Sequence, residues 1–133
     1  MVGILVDRII STGMKKLGSP YVYNAPAYHP RFYDCSSFIQ YIYGVNGVFL
    51  PRNARQQYKM GTLILNQRLK KGDLLFFTTG ARKNRKGIAK IGHVATYIGS
   101  NKMIHTYRPM NKVVITEIDS EWKKRFIAAK RVL

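Results

Sequence analysis

The chain has 133 residues, 46% of them hydrophobic, with 23 Lys and Arg against 6 Asp and Glu and a formal net charge of +17. That length forms one domain with a real core, and the apolar content excludes a disordered polyelectrolyte. So large a positive excess calls for an anionic partner, for which nucleic acid, anionic lipid and an acidic polymer such as bacterial cell wall all qualify.

Val6, Ile9, Ile10, Met14 and Leu17 recur at helical spacing, so residues 2–17 read as an amphipathic helix stopped by Gly18. The segment carries Asp7, Arg8, Lys15 and Lys16 and lacks a continuous apolar core, so it does not read as a signal peptide. No stretch reads as transmembrane. Pro20, Pro26 and Pro30 then forbid a helix over residues 19–33, a loop rich in tyrosine. A second helix follows over residues 36–45, with Phe38, Ile39 and Ile42 on one face and Gly44 and Gly47 at its end. Asn53, with Gln56 three residues on, opens a short third helix closed by Gly61.

Beyond this the period changes to that of strands, expected over 74–78, 91–98, 103–107, 113–118 and 126–132. Three helices before an antiparallel sheet make the fold class α+β. The charge run Arg82-Lys83-Asn84-Arg85-Lys86 falls between the first two of these strands and reads as a solvated loop. No linker or repeat divides the chain.

Cys35 is the only cysteine, which rules out an internal disulfide and leaves the compartment open. It stands where the loop meets the second helix. Unpaired N–H groups and the helix dipole there favour a thiolate and could hold an oxyanion. By itself a lone cysteine is more often a small buried hydrophobe. His93 and His105 fall in successive strands joined by the turn Gly99-Ser100-Asn101-Lys102, an even number of residues apart. A hairpin loop with an odd number of residues puts both on one face, where His93 can serve as base and His105 can orient it. A two-residue loop puts them on opposite faces. Zinc held by these three residues is chemically sound, but no Cys-x-x-Cys or His-Glu-x-x-His run supports it. Ser36 and Ser37 lack a nucleophile elbow, and His29 reads as incidental.

Several segments, in order, resemble the NlpC-like family of cell-wall peptidases, which are papain-like cysteine enzymes. They are Leu17-Gly18-Ser19-Pro20-Tyr21-Val22-Tyr23, Tyr33-Asp34-Cys35-Ser36-Ser37-Phe38, Leu50-Pro51-Arg52-Asn53-Ala54, Lys71-Gly72-Asp73-Leu74, Gly92-His93-Val94 and Met103-Ile104-His105. The resemblance covers Gly18 to the C-terminus. It implies a reduced papain-like core, N-terminal helices packed on a C-terminal antiparallel sheet, as a single domain over 1–133. It implies Cys35 as nucleophile, His93 as general base and His105 as orienting residue. Tyr21, Asp34 and Ser36 are then expected at the substrate or the oxyanion. The implied reaction is hydrolysis of peptidoglycan stem peptides between the γ-carboxyl of D-glutamate and a diamino acid, without cofactor or metal.

The chain departs from the family pattern at Tyr23-Asn24-Ala25, where Trp-Gly-Gly is frequent, and at Ser37, where glycine is frequent. Tyr28 and His29 also lengthen the loop before Cys35. The expected partners are stem peptides and, through the net charge, anionic wall polymers, with no membrane insertion and the protein a monomer. The expected location is extracellular, periplasmic or wall-associated. An amidase or acyltransferase of the same fold remains an open alternative. So does a non-catalytic basic domain for nucleic acid, which is disfavoured because the aromatics gather in the proline loop rather than among the cations.

Overall fold

The computed structural model describes residues 2–133. Helix α1 spans Val2–Met14 and buries Val6, Ile9 and Gly13. It ends three residues before the expected stop, because Lys16 and Leu17 bond to the carbonyls three residues back and tighten the last turn. Gly18 then takes a left-handed φ of +84° and donates to Val113 O at 3.0 Å.

Helix α2 (Cys35–Gly44) starts on a reciprocal cap. Asp34 accepts from the Ser37 N–H at 2.9 Å, and the Ser37 Oγ accepts from the Asp34 N–H at 3.0 Å. The serine that stands in place of a frequent glycine is therefore the second half of the cap. Helix α3 (Ala54–Tyr58) is capped by Asn53, which accepts from the Gln56 N–H at 2.9 Å.

The strands are β1 (Thr62–Ile64), β2 (Leu74–Phe77), β3 (His93–Gly99), β4 (Lys102–Tyr107), β5 (Lys112–Glu117) and β6 (Phe126–Arg131), with α4 (Ser120–Arg125) between the last two. They form one antiparallel sheet in the order β1-β6-β2-β3-β4-β5. The α+β class and the reduced papain-like arrangement are as expected. Two elements are additions. Strand β1 has three residues and pairs only with β6, too short to show a period of two. Helix α4 has one buried side chain, Trp122, so it shows no helical stripe; its cap is Asp119, which accepts from the Trp122 N–H at 3.1 Å.

The sheet is covered on both faces. One face packs Leu74, Phe76, Val94, Ile104 and Val113 against Ile9 of α1 and Phe38, Ile39, Ile42 and Tyr43 of α2. Each such side chain, fully buried, contributes about 1.5–3 kcal/mol. The other face packs Leu75, Phe77, Ala95, Met103 and Ala129 under Trp122 and Ile118. The Lys71-Gly72-Asp73 turn is tied to both layers. Tyr43 donates to Gly72 O at 2.7 Å, and the Asp73 carboxylate takes two bonds from Arg131, each 2.8 Å.

The hairpin between β3 and β4 corrects the expectation that a two-residue loop separates the histidines. Gly99 pairs with Lys102, so the loop is the two residues Ser100 and Asn101, at φ +52° and +59°. The register then shifts between Tyr97 and Gly99, and the next pairs are Tyr97 with Met103 and Thr96 with Ile104. This bulge at Ile98 adds the odd residue that the loop lacks. Odd-numbered residues of β3 therefore share a face with odd-numbered residues of β4.

Candidate active site

Cys35 is the first residue of α2 and keeps part of its surface in solvent. Its sulfur faces the backbone N–H groups of Val94 and Ser36, so the thiol lies beside the His93–Val94 peptide at the start of β3. Burial and then Asp34 push its pKa up to about 11, while the two N–H groups and Arg52 pull the other way. Position at a helix start does not by itself make this thiol a resting thiolate.

His93 and His105 stand on one face, but it is the face under Trp122 rather than the one on which α2 packs. The ring of His93 lies 5.5 Å from Trp122, 5.8 Å from Tyr107 and 6.0 Å from Phe77, and the ring of His105 lies 5.3 Å from Trp122. The paired ladder of β3 with β4 ends at Thr96–Ile104. Carried on, that register sets His105 opposite Ala95, which makes the two histidines diagonal neighbours. Their nitrogens meet directly, His93 Nε2 at 2.8 Å from His105 Nδ1. His105 Nε2 in turn lies 2.8 Å from Thr116 Oγ1 on β5.

This row has two possible polarities. With His105 Nε2–H donating to Thr116, His105 Nδ1 accepts from His93 Nε2–H, and His93 Nδ1 keeps a lone pair. The reverse polarity puts a proton on His93 Nδ1 and leaves no base. Both imidazoles are held neutral. Burial, then His105 and Arg125, lower the pKa of His93 well below the usual value, and burial lowers that of His105 to about 3. Burial therefore works against the charged form of the thiol and of both imidazoles, and does not favour the imidazolium that would raise the thiolate fraction.

Tyr21 is half-buried, with its pKa raised to about 12 by burial and then by Cys35 and Asp34, so its hydroxyl stays protonated within electrostatic reach of the thiol. Asp34 already has protein partners. Besides capping α2 it binds Arg52 through both oxygens, at 3.1 and 2.7 Å. Ser36 accepts from Arg52 at 2.9 Å and is buried, so its side chain is structural while its N–H faces the sulfur. His29 accepts from the Arg31 N–H at 3.1 Å and stacks on Phe32, which shapes the loop. Asn24 takes a left-handed φ of +56° where the family pattern has glycine, a conformation asparagine tolerates.

Sequence reasoning missed Arg52, Thr116 and Trp122 as parts of the site. Arg52 sits in the quoted Pro-Arg segment, but only the fold shows that it clamps Asp34, Ser36 and Ala25 O together. Thr116 carries no signal, being one β-former in a strand. Gly92 does carry one: a Cβ there would meet Thr79 Oγ1 at 2.5 Å, so any side chain at this entry to β3 would require Thr79 to shift. Among the described residues, no three His, Cys, Asp or Glu groups are placed to hold a metal ion.

The NlpC/P60 family model matches residues 18–131. A gamma-D-glutamyl-L-lysine dipeptidyl-peptidase of Bacillus cereus is 33% identical over 128 residues, which are 96% of this chain and 36% of that protein. The chain thus spans about a third of that relative's length. The crystal structure of an NlpC/P60 family protein from Bacillus cereus superposes with a TM-score of 0.84 at 32% identity, over 96% of this chain and 40% of that one. RipD of Mycobacterium tuberculosis superposes with a TM-score of 0.78 at 25% identity, over 97% and 98% of the two chains. It is described as a non-catalytic NlpC/p60 domain protein adapted to binding peptidoglycan.

Proposed function

The chain belongs to the NlpC/P60 family, and from that premise we propose that it is a cysteine endopeptidase of peptidoglycan that cuts stem peptides between the γ-carboxyl of D-glutamate and a diamino acid. Cys35 is the nucleophile, His93 the base and His105 its orienting group, all within one domain spanning 1–133. The observation that carries the reading is the row Thr116–His105–His93, which ends where strand β3 touches the thiol.

The chemistry starts from the neutral pair. As the sulfur attacks the amide carbonyl, the thiol proton passes to His93 Nδ1 and the C–S bond forms. The oxyanion is stabilised by the first N–H groups of α2 and by the Tyr21 hydroxyl. The imidazolium is tolerated only briefly, because its site is dry; it gives its proton to the leaving amine as the C–N bond breaks. Water then attacks the thioester, losing a proton to His93; the C–S bond breaks, the departing thiolate takes that proton back, and the carboxyl product leaves.

The role of Asp34 is to hold α2 and Arg52 in place under the substrate. The net charge of +17 keeps the enzyme on anionic wall polymers, outside the cytoplasm.

One second reading is a binding domain of the RipD kind without turnover, since that protein shares this fold over nearly the whole of both chains. Mass spectrometry of peptidoglycan fragments after digestion, with Cys35→Ala as the blank, separates the two. Fragments ending in γ-linked D-glutamate in the native digest alone support the endopeptidase. Identical digests remove it.

A further inference from the structure

Arg52, the cation that acts on the thiol, is paired with Asp34, but three arginines further out lack a carboxylate partner. Among the described residues the ion pairs are Arg52–Asp34, Lys124–Glu121 and Arg131–Asp73. None of them includes Arg55, Arg82 or Arg108. These three arginines nevertheless have fixed positions. Arg55 Nη1 donates to Ile91 O at 2.7 Å, two residues before His93, and Arg82 Nη1 donates to Ala89 O at 3.0 Å. The Arg108 guanidinium lies 5.7 Å from the ring centroid of Tyr23, a side chain 74% exposed.

They also share one neighbourhood. The Arg82 pKa is lowered by burial first and then by the nearby Arg55 and Arg85, with Tyr23 acting in the opposite sense, so all three lie within electrostatic reach of its guanidinium. Tyr21 feels both the Cys35 thiol and Arg108. Tyr21 thus links the thiol to Arg108, Tyr23 lies against Arg108 and within electrostatic reach of Arg82, and Arg82 and Arg55 are held on the Ala89 and Ile91 carbonyls that precede β3. One N–H each of Arg55 and Arg82 is bound to backbone, and the rest of each fork is free for a planar anion. Like charges held together without acids are costly unless a ligand anion joins them.

We propose that Arg55, Arg82 and Arg108, gathered round Tyr23, form a carboxylate-binding subsite, so that the cleft takes stem peptides whose carboxylates are free and discriminates against their amides. The subsite rests on the endopeptidase reading for its substrate, but its selectivity is a binding property that can be read without turnover.

The test uses L-alanyl-γ-D-glutamyl-diaminopimelate as the free acid and as its carboxamide, near-isosteric ligands that differ in charge. Calorimetric titration of the Cys35→Ala protein avoids cleavage. A charge-assisted bond is worth about 1.5–3 kcal/mol, so the acid is expected to bind at least about tenfold more tightly. Adding Arg82→Gln and Arg108→Gln should bring that ratio to within about threefold, while Lys15→Gln on α1 should leave it in place. Equal binding of acid and amide, or an equal loss of preference in the Lys15→Gln control, overturns the subsite. Hydrolysis of the acid by the native protein is scored separately. Selective binding without hydrolysis keeps the subsite and removes the endopeptidase.

Discussion

His93 Nε2 lies 2.8 Å from His105 Nδ1, and both rings are buried. One histidine thus serves as the hydrogen-bonding partner of the other. A neutral partner of this kind can orient an imidazole without lending it a negative charge.

Replacing Cys35 or His93 by alanine is expected to abolish hydrolysis with the far-UV and near-UV dichroism unchanged. For His105→Ala the loss in kcat/KM should be smaller, about 10²-fold to 10³-fold, since water can occupy part of the vacated site. Turnover of stem peptides by either of the first two variants at the native rate would remove the assigned roles.

Thr116→Val keeps the shape of β5 and deletes the hydroxyl that lies 2.8 Å from His105 Nε2. The relay then loses what favours a lone pair on His93 Nδ1. The expected outcome is a fall in kcat of about 10-fold or more with KM little changed, and recovery in Thr116→Ser. Nitrogen-15 chemical shifts of the two imidazoles report the tautomers directly. A normal rate with unchanged shifts in Thr116→Val contradicts the relay.

The two depressed histidines fix how stability responds to acid. In the unfolded chain they take up protons near pH 6.5, whereas the fold refuses a proton on His105 until about pH 3 and on His93 until well below its usual value. Stability is therefore full above about pH 6.5 and declines as the pH falls from there, by up to about 1.4 kcal/mol per unit for each histidine. Urea midpoints measured between pH 7 and pH 4 should drop less steeply in His105→Gln. Because thiol and imidazole are both neutral in between, kcat/KM should be level from about pH 6 to 9. An activity step centred at an ordinary histidine pKa would argue against a buried neutral base.

Arg52→Met removes the partner of a largely buried carboxylate and one clamp on Ala25 O. Because Arg52 is itself partly exposed, the expected loss is about 1–3 kcal/mol rather than that of a fully buried pair. Chemical denaturation measures it, and a variant as stable as the native chain would show that α2 does not depend on this clamp.

Attachment to purified walls through the +17 charge should weaken steeply between low and high salt, since the contacts lie at the surface. Pelleting assays check it, and retention that is indifferent to salt points to a shape-specific contact instead.

Helices α1 and α2 could be read in the chain from their apolar residues at helical spacing, and strands β2 to β6 from short runs rich in β-branched and aromatic residues bounded by turn signals. So could the candidate nucleophile, from its place at a loop-to-helix junction, and the two histidines, from their strands. Helix α4 could not, since its reason for existing is the placing of Trp122 over a sheet face assembled from distant segments. Thr116 and Arg52 were hidden for the same reason: their partners lie 11 and 18 residues away, with nothing in the spacing to announce them.

The clearest division lies in the β3–β4 hairpin. The sequence by itself determined that a thiol, two imidazoles and their order along the chain were present, along with a turn at Ser100-Asn101. It did not determine on which side of the sheet each imidazole stands. A strand reverses its faces with every residue, so one bulged residue at Ile98 decides whether His93 and His105 meet or point apart. That choice rests on the packing of Ala95 and Met103 beneath Trp122 and of Val94 and Ile104 against α2 and its neighbours, which only the assembled tertiary structure supplies.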